Sequence, residues 1–370
     1  GGWLATDFSW RWAFMINVPL GIIIAIGLLI FVKESKAETI QGKIDYVGAI
    51  LSMVMFSFLV FGLIEGRNFG WWGINETRRF EIFGYKWPTD GISVIPFALA
   101  ISAAAFIAFY YWERKREAEG KSVLLDLSLF KITSFRNGSI AALIISMGEF
   151  GLLFAIPLWL QNVLGLSPVD SGLVLLWLAG GAFLASGVGG ALSGKLAPAM
   201  AVRIGVGLEL VGVLGVALFA NETVGWGPIA PCLFIYGIGI GLATAQLTGV
   251  IMVDVSMDKI GQASGSQSTV RQIGSALGIA VLGTVLFTQL QASLQDKLAA
   301  IGTPKGIADG ITTSVVESAG GSIQGMEAGN VPTSVIEAAK AAFTDGARFS
   351  AVAAAIFLAL GFIATFRLSQ

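Results

Sequence analysis

The 370-residue chain is 55% hydrophobic and 13% charged, with a mean hydropathy of +0.78, whereas soluble domains carry about 25% charge; a lipid bilayer accommodates this balance and a single soluble core does not. A formal net charge of -1 excludes the basic footprint of a nucleic-acid partner. The single cysteine, Cys232, excludes an internal disulfide or a thiolate metal cluster, and the absence of histidine removes imidazole metal sites, Ser-His-acid triads and histidine proton relays.

The chain opens Gly1-Gly2-Trp3, without methionine or signal peptide, and residues 1–5 read as the tail of a span, so the sequence is expected to be a fragment. A membrane-crossing helix needs about 20 apolar residues. Nine runs satisfy this, at about 12–32, 46–65, 91–112, 137–162, 171–194, 203–220, 227–253, 267–289 and 349–366. The fold class expected is an all-α membrane protein.

The connections alternate in charge. Lys33, Lys36 and Lys43, then Arg114 to Lys121 with Lys131 and Arg136, then Lys195, Arg203, Lys259 and Arg367 mark one side. The loops 164–170 and 221–225 on the other side contain no Lys or Arg. By the positive-inside rule the basic side is cytoplasmic, which puts the start of the chain outside and its end inside. The exception is 67–86, which would place Arg67, Arg78, Arg79 and Lys86 outside. In the external stretch 66–90, Trp71, Trp72 and Trp87 suit an interfacial aromatic belt. Residues 290–348, rich in Ala, Gly and Ser, read as a partly helical external loop. Val123–Phe130 reads either as an amphipathic segment on the membrane surface or as an ordinary connector.

Many of the 48 glycines lie inside spans. Gly261/Gly265 and Gly274/Gly278 are small-xxx-small pairs, which suit close helix packing or helices that slide and rock. Glu149 stands near the centre of its span, where a carboxylate costs about 2.5–3.5 kcal/mol. Ser146 and Ser139 fall within about 80° of it on the helix wheel, forming one polar stripe. A titratable carboxyl facing a cavity suits proton coupling; the alternative is a structural hydrogen bond to a neighbouring helix. Glu209 lies about two turns into its span and is the second such carboxyl. Arg271, near the start of its span, is expected to form a charge pair with Glu209 or Asp254. Asn17, Thr244 and Gln246, with Ser146, are candidates to line a substrate pathway. Gly189–Lys195 mimics the start of a phosphate-binding loop, but Leu196 stands where Ser or Thr should hold magnesium, and no strand precedes it.

Several segments in order resemble the fourteen-span drug:proton antiporters of the major facilitator superfamily (EmrB/QacA type). Gly1-Gly2-Trp3 is similar to the end of the Gly-Pro-x-x-Gly-Gly motif closing that family's fifth span. Ser9-Trp10-Arg11-Trp12 with Ile16-Asn17-Val18-Pro19 resembles its entry into span six. Leu124-Leu125-Asp126-Leu127 resembles the lead-in to span nine, and Pro157–Gly165 with Ser167-Pro168 its exit. Gly261–Gly265 with Arg271–Gly274 resembles the run into span thirteen, and Ala342–Gly346 the lead-in to span fourteen. Gly194-Lys195 departs from the family's Asp-Arg, and a proline usual near Trp177 is replaced.

The resemblance implies a partial major facilitator fold lacking about five spans. Residues 1–32 would end the N-terminal bundle, 33–120 would hold two linker spans, and 121–370 would form a six-helix C-terminal bundle. It further implies proton-coupled export of amphipathic or lipophilic compounds by alternating access, at the bacterial plasma membrane. No cofactor beyond the proton gradient is expected, and the partners would be small-molecule substrates, lipids and the missing N-terminal spans. A proton-coupled solute permease, or a non-transporting scaffold or receptor, is the alternative. An enzyme is disfavoured because no catalytic constellation appears.

Overall fold

The computed structural model describes residues 2–32, 45–74, 80–82, 84–88, 90–192, 196–329 and 331–368. Lys33, Lys36, Lys43, Arg78, Arg79, Gly194 and Lys195, and with the last two the loop mimic and the departure from Asp-Arg, lie outside them. Among the described residues, nine helices are long and apolar enough to cross a membrane.

Chain order begins with α1 (Gly2–Asp7), α2 (Trp10–Met15) and α3 (Asn17–Phe31). The first span is therefore broken at Ile16, just before Pro19, whose missing N–H is tolerated in the first turn of α3. Next come α4 (Tyr46–Phe69) and α5 (Val94–Ala118), which pack on each other. The stretch between them carries a minimal hairpin, β1 (Glu81–Ile82) against β2 (Tyr85–Lys86), that apolar periodicity does not disclose. Trp87 donates its indole N–H to Ile92 O at 3.0 Å and contacts the rings of Phe80 and Phe97. Trp72 is exposed, and Trp71 lies over Gly66.

The remaining helices are α6 (Thr133–Asn162), α7 (Pro168–Leu192), α8 (Pro198–Phe219), α9 (Ile229–Met252), α10 (Ile260–Ala300), α11 (Lys305–Glu317), α12 (Ser322–Ala328) and α13 (Thr333–Thr365). α9 packs between α7 and α8, and α6, α10 and α13 pack mutually. Most of the buried apolar side chains of these elements join one core.

Glycine sets two of these contacts. At Gly274 and Gly278 a Cβ would strike the main-chain oxygens of Leu143 and Met147, so α6 and α10 touch backbone to backbone. Gly261 and Gly265 behave differently: no atom lies within 4 Å of where their Cβ atoms would be. This pair does not pack helices together.

The region 290–348 departs most from the loop expected there. α10 runs 41 residues and α13 runs 33, roughly 62 and 50 Å, against about 30 Å of hydrocarbon. Leu282, Leu286, Leu290, Leu294 and Leu298 recur every fourth residue and are all fully buried. α10 packs along α13, whose inner positions include Val335, Ala338, Ala339 and Ala342. The apolar stripe therefore continues beyond the membrane and carries the helix with it. Ser293 Oγ donates to Asp345 Oδ2 at 2.7 Å, and Lys297 Nζ lies 3.2 Å from the same oxygen. Gly320, at φ +90°, makes the turn between α11 and α12, where a Cβ would come 2.5 Å from the Phe343 ring.

Val123–Phe130 is anchored to the helices on either side of it. It leads into a 3-10 turn, Leu127–Lys131, and Leu129 is fully buried in the core. Asp126 Oδ2 pairs with Lys259 Nζ, and Gln262 donates to Val123 O at 2.8 Å, tying the segment to the start of α10. Burial opposes the charge on Asp126, but the Lys259 ammonium and the Ser128 N–H outweigh it and hold its carboxyl below the usual range. A second knot joins the segment to α4 and α5. Asp45 accepts from Gly48 N at 2.9 Å and Trp112 Nε1 at 3.0 Å, and Arg116 Nε lies 3.2 Å from it. Burial opposes this charge too, yet these donors keep the Asp45 carboxyl below its ordinary value. Glu113, fully buried, accepts from Leu124 N at 3.0 Å.

Candidate functional site: a buried charge cluster between four helices

α6 brings Glu149 to the interface with α10, where the glycine contacts described above hold the two backbones together. Its carboxyl Oε2 lies 3.6 Å from Arg271 Nη2. Glu149 is 3% exposed, while the Arg271 side chain keeps partial access. Arg271 thus meets Glu149 in place of the expected Asp254, with the expected Glu209 in electrostatic reach of it. The cause is where α10 begins: a 3-10 turn, Met257–Lys259, starts the helix at Ile260. Arg271 consequently sits eleven residues in, roughly 17 Å along the axis, and its side chain reaches up to Glu149. Asp254 is exposed in the turn after α9.

Two more groups close the cluster. Tyr236 of α9, fully buried, donates its hydroxyl to the main-chain oxygen of Glu149 at 3.1 Å. Glu209 of α8 is also fully buried, and neither of its carboxyl oxygens has a hydrogen-bond partner among the described residues. It lies within electrostatic reach of both Glu149 and Arg271. α8 and α9 approach closely enough to bury it because both carry glycine. A Cβ at Gly239 would come 2.6 Å from Glu209 Cγ, and one at Gly212 would come 2.6 Å from Tyr236 Cβ. Two carboxyls, a phenol and a guanidinium from four helices thus share one buried neighbourhood.

The other candidates divide. Ser146 is buried one turn before Glu149, 3.1 Å from where a Cβ at Gly274 would stand, so it is packed in the α6–α10 contact. Ser139, further along the same stripe, is buried, and its hydroxyl has no partner among the described residues. Gln246 donates to Gly189 O at 3.3 Å and fastens α9 to α7, with Thr244 half-buried beside it. Asn17 is exposed at the start of α3, a helix without a buried residue, and is not brought to the cluster. Sequence reasoning missed Tyr236, whose only signal is a lone phenol inside a glycine-rich span. Among the described residues no group of His, Cys, Asp and Glu could hold a metal ion.

Two clefts flank the bundle. One of about 570 Å³ lies where the end of α4 faces α10 and α11. The other, about 810 Å³, lies between α4, α5 and the first half of α10.

The chain is 29% identical over 298 residues to the multidrug resistance protein Stp of Mycobacterium tuberculosis, covering 80% of this chain and 51% of that protein. It is 28% identical over 369 residues to the tetracenomycin C resistance and export protein of Streptomyces glaucescens, covering 97% of this chain and 64% of that protein. It is 29% identical over 300 residues to the probable actinorhodin transporter of Streptomyces coelicolor, covering 78% of this chain and 47% of that protein. The chain thus spans between 47% and 64% of the length of these relatives. Its nine membrane-length helices make it an integral membrane protein, and with residues 47–279 matching the family directly, the chain belongs to the Major Facilitator Superfamily.

Proposed function

We propose that this chain forms the larger part of a proton-driven exporter of amphipathic or lipophilic compounds, of the fourteen-span drug:proton antiporter type. In this reading two bundles rock about a midplane cavity, and Glu149 exchanges a proton while Arg271 compensates its charged form. Glu209 is the second carboxyl through which the proton state of Glu149 is felt. The start of the chain lies outside and its end in the cytoplasm, in a bacterial plasma membrane.

The observation that carries the reading is the Glu149–Arg271 contact of 3.6 Å, buried at mid-span with a second carboxyl in reach. A carboxylate at this depth is costly unless compensated, and a compensated one can trade its partner for a proton. The names of the relatives, a multidrug resistance protein and a resistance and export protein, support export as the direction of transport.

The test is substrate-induced proton flux in proteoliposomes holding the full-length protein. Glu149→Gln is expected to insert and fold, and to lose proton-driven export. Equal flux in wild type and Glu149→Gln would make Glu149 a packing residue and end this assignment.

A further inference from the structure

The cleft between α4, α5 and the first half of α10 lies away from the charge cluster. Its volume of about 810 Å³ is within the range of about 300–1,000 Å³ typical of ligand pockets. Its walls include Met55, Phe56 and Leu59 from α4, and Phe106 and Phe109 from α5. Among the described residues, no Lys, Arg, Asp or Glu lines it.

Five polar side chains in the walls already donate to main-chain oxygens. Ser52 donates to Ala49 O at 2.9 Å, Ser102 to Met55 O at 2.8 Å and Gln262 to Val123 O at 2.8 Å. Ser266 donates to Gln262 O at 2.7 Å and Thr269 to Gly265 O at 2.9 Å. With these donors engaged inside the wall, the cleft suits an occupant that asks for no hydrogen bonds.

Its shape narrows the choice. Along α10 the lining runs from Gly261 to Ile273, roughly 18 Å of helix axis, close to the ~15 Å of hydrocarbon in one leaflet. Gly261 and Gly265 face this space with no atom within 4 Å of a Cβ, so their lack of side chain keeps the slot open. The slot's end is built by Leu124 and Leu125, whose main-chain N–H groups are held by buried Glu113 at 3.0 and 3.4 Å. Just beyond Phe109, on the last turns of α5, Arg114 and Lys115 are exposed. That is the level at which a phosphate headgroup would sit.

The geometry points to a structural lipid site: the cleft holds one acyl chain of an anionic membrane phospholipid, its headgroup beside Arg114 and Lys115. The acyl chain acts as an apolar wedge between the α4–α5 pair and α10, filling a seam that the described side chains leave empty.

The experiment uses the full-length protein in nanodiscs containing phosphatidylglycerol with a diazirine midway along one acyl chain. After irradiation, labelled peptides are mapped by mass spectrometry, with the mean over all nine membrane-length helices reporting the level of ordinary surrounding lipid. Labelling on the cleft faces of α4, α5 and α10 is expected to exceed that level. Gly265→Leu and Ala103→Phe, which fill the slot from opposite walls, should each remove the excess. Ala100→Phe, outside the slot on α5, should leave it unchanged, as should Glu149→Gln, which separates this site from proton coupling. Wild-type labelling of the cleft faces no higher than that mean would overturn the site without recourse to any variant. Persistence of the excess in folded Gly265→Leu and Ala103→Phe would overturn it as well. Loss of the excess on adding equimolar pyrene would reassign the slot to lipophilic solutes.

Discussion

Arg271 and Glu149 meet at 3.6 Å across the contact where Gly274 and Gly278 bring α10 against α6. The geometry of the pair is therefore fixed by backbone contact between the levels of its two members, and its removal has a defined asymmetry. Arg271→Gln leaves a buried carboxyl without its counter-charge and should cost about 1–3 kcal/mol, less than a fully enclosed pair because the guanidinium keeps some solvent access. The double variant Glu149→Gln/Arg271→Gln should be more stable than Arg271→Gln alone. Thermal unfolding in detergent measures both, and additive losses would show the two side chains to be uncoupled.

Gly278→Leu should be among the most damaging single changes in the bundle. Its side chain must displace the Met147 main chain, and overpacking of this kind costs about 1–3 kcal/mol or prevents folding. Gly172→Ala, in α7 with open space around it, should instead raise stability by up to about 1 kcal/mol through helix propensity. Expression level and melting temperature, read side by side, decide the contrast.

Trp159 is buried and donates its indole N–H to Thr344 Oγ1 at 3.0 Å, joining α6 to α13. Thr344→Val keeps the shape and removes the acceptor, leaving a buried donor unpaired at a cost of about 1–3 kcal/mol. In a Trp159→Phe background the same substitution should cost much less. Equal costs in both backgrounds would contradict the hydrogen bond as the source.

The Asp126–Lys259 tie has a pH signature. Because the folded carboxyl is held below its unfolded value of about 3.9, its contribution is fully present above that value and is lost as pH falls through the lower folded one. Asp126→Asn should therefore lower stability by a constant amount between pH 5 and 8, with the gap to wild type closing only below about pH 4. A gap that narrowed with rising pH through neutrality would reverse the sign and refute the assignment.

The proposed orientation is tested by single cysteines in a Cys232→Ser background. Cysteine at Ala118 should be shielded from impermeant thiol reagents in intact cells, and cysteine at Ser318 should be labelled. The opposite pattern would invert the topology.

The nine spans are legible in the sequence because hydrocarbon thickness imposes a length on every apolar run. The full reach of α10 and α13 is not, because outside the bilayer the signal changes from mean hydropathy to spacing. There the leucines through Leu298 and the small residues Ala338, Ala339 and Ala342 mark buried faces inside a stretch whose composition resembles a loop. Glu149 announces itself as a mid-span carboxyl, and so does Glu209. Their electrostatic neighbourhood does not, since it depends on the turn of 3-10 helix that starts α10 and on glycine contacts between distant segments. The knot of Asp45, Arg116 and Glu113 is hidden for the same reason: its members belong to the ends of separate elements.

α10 and α13 emerge from the membrane region as continuous rods, clamped together outside it by Asp345 with Ser293 and Lys297. A rod fixed at one end magnifies rotation at the other. If the bundle tilts by about 10°, the tip of α10 at Ala300, roughly 17 Å past the end of the apolar run near 289, sweeps about 3 Å. α11 and α12 ride on that tip and also cap α6 through Asn162 and Ala319, joined at 2.9 Å. α11 and α12 would then act as a pointer whose position reports, and whose restraint halts, the angle of the helices within the bilayer.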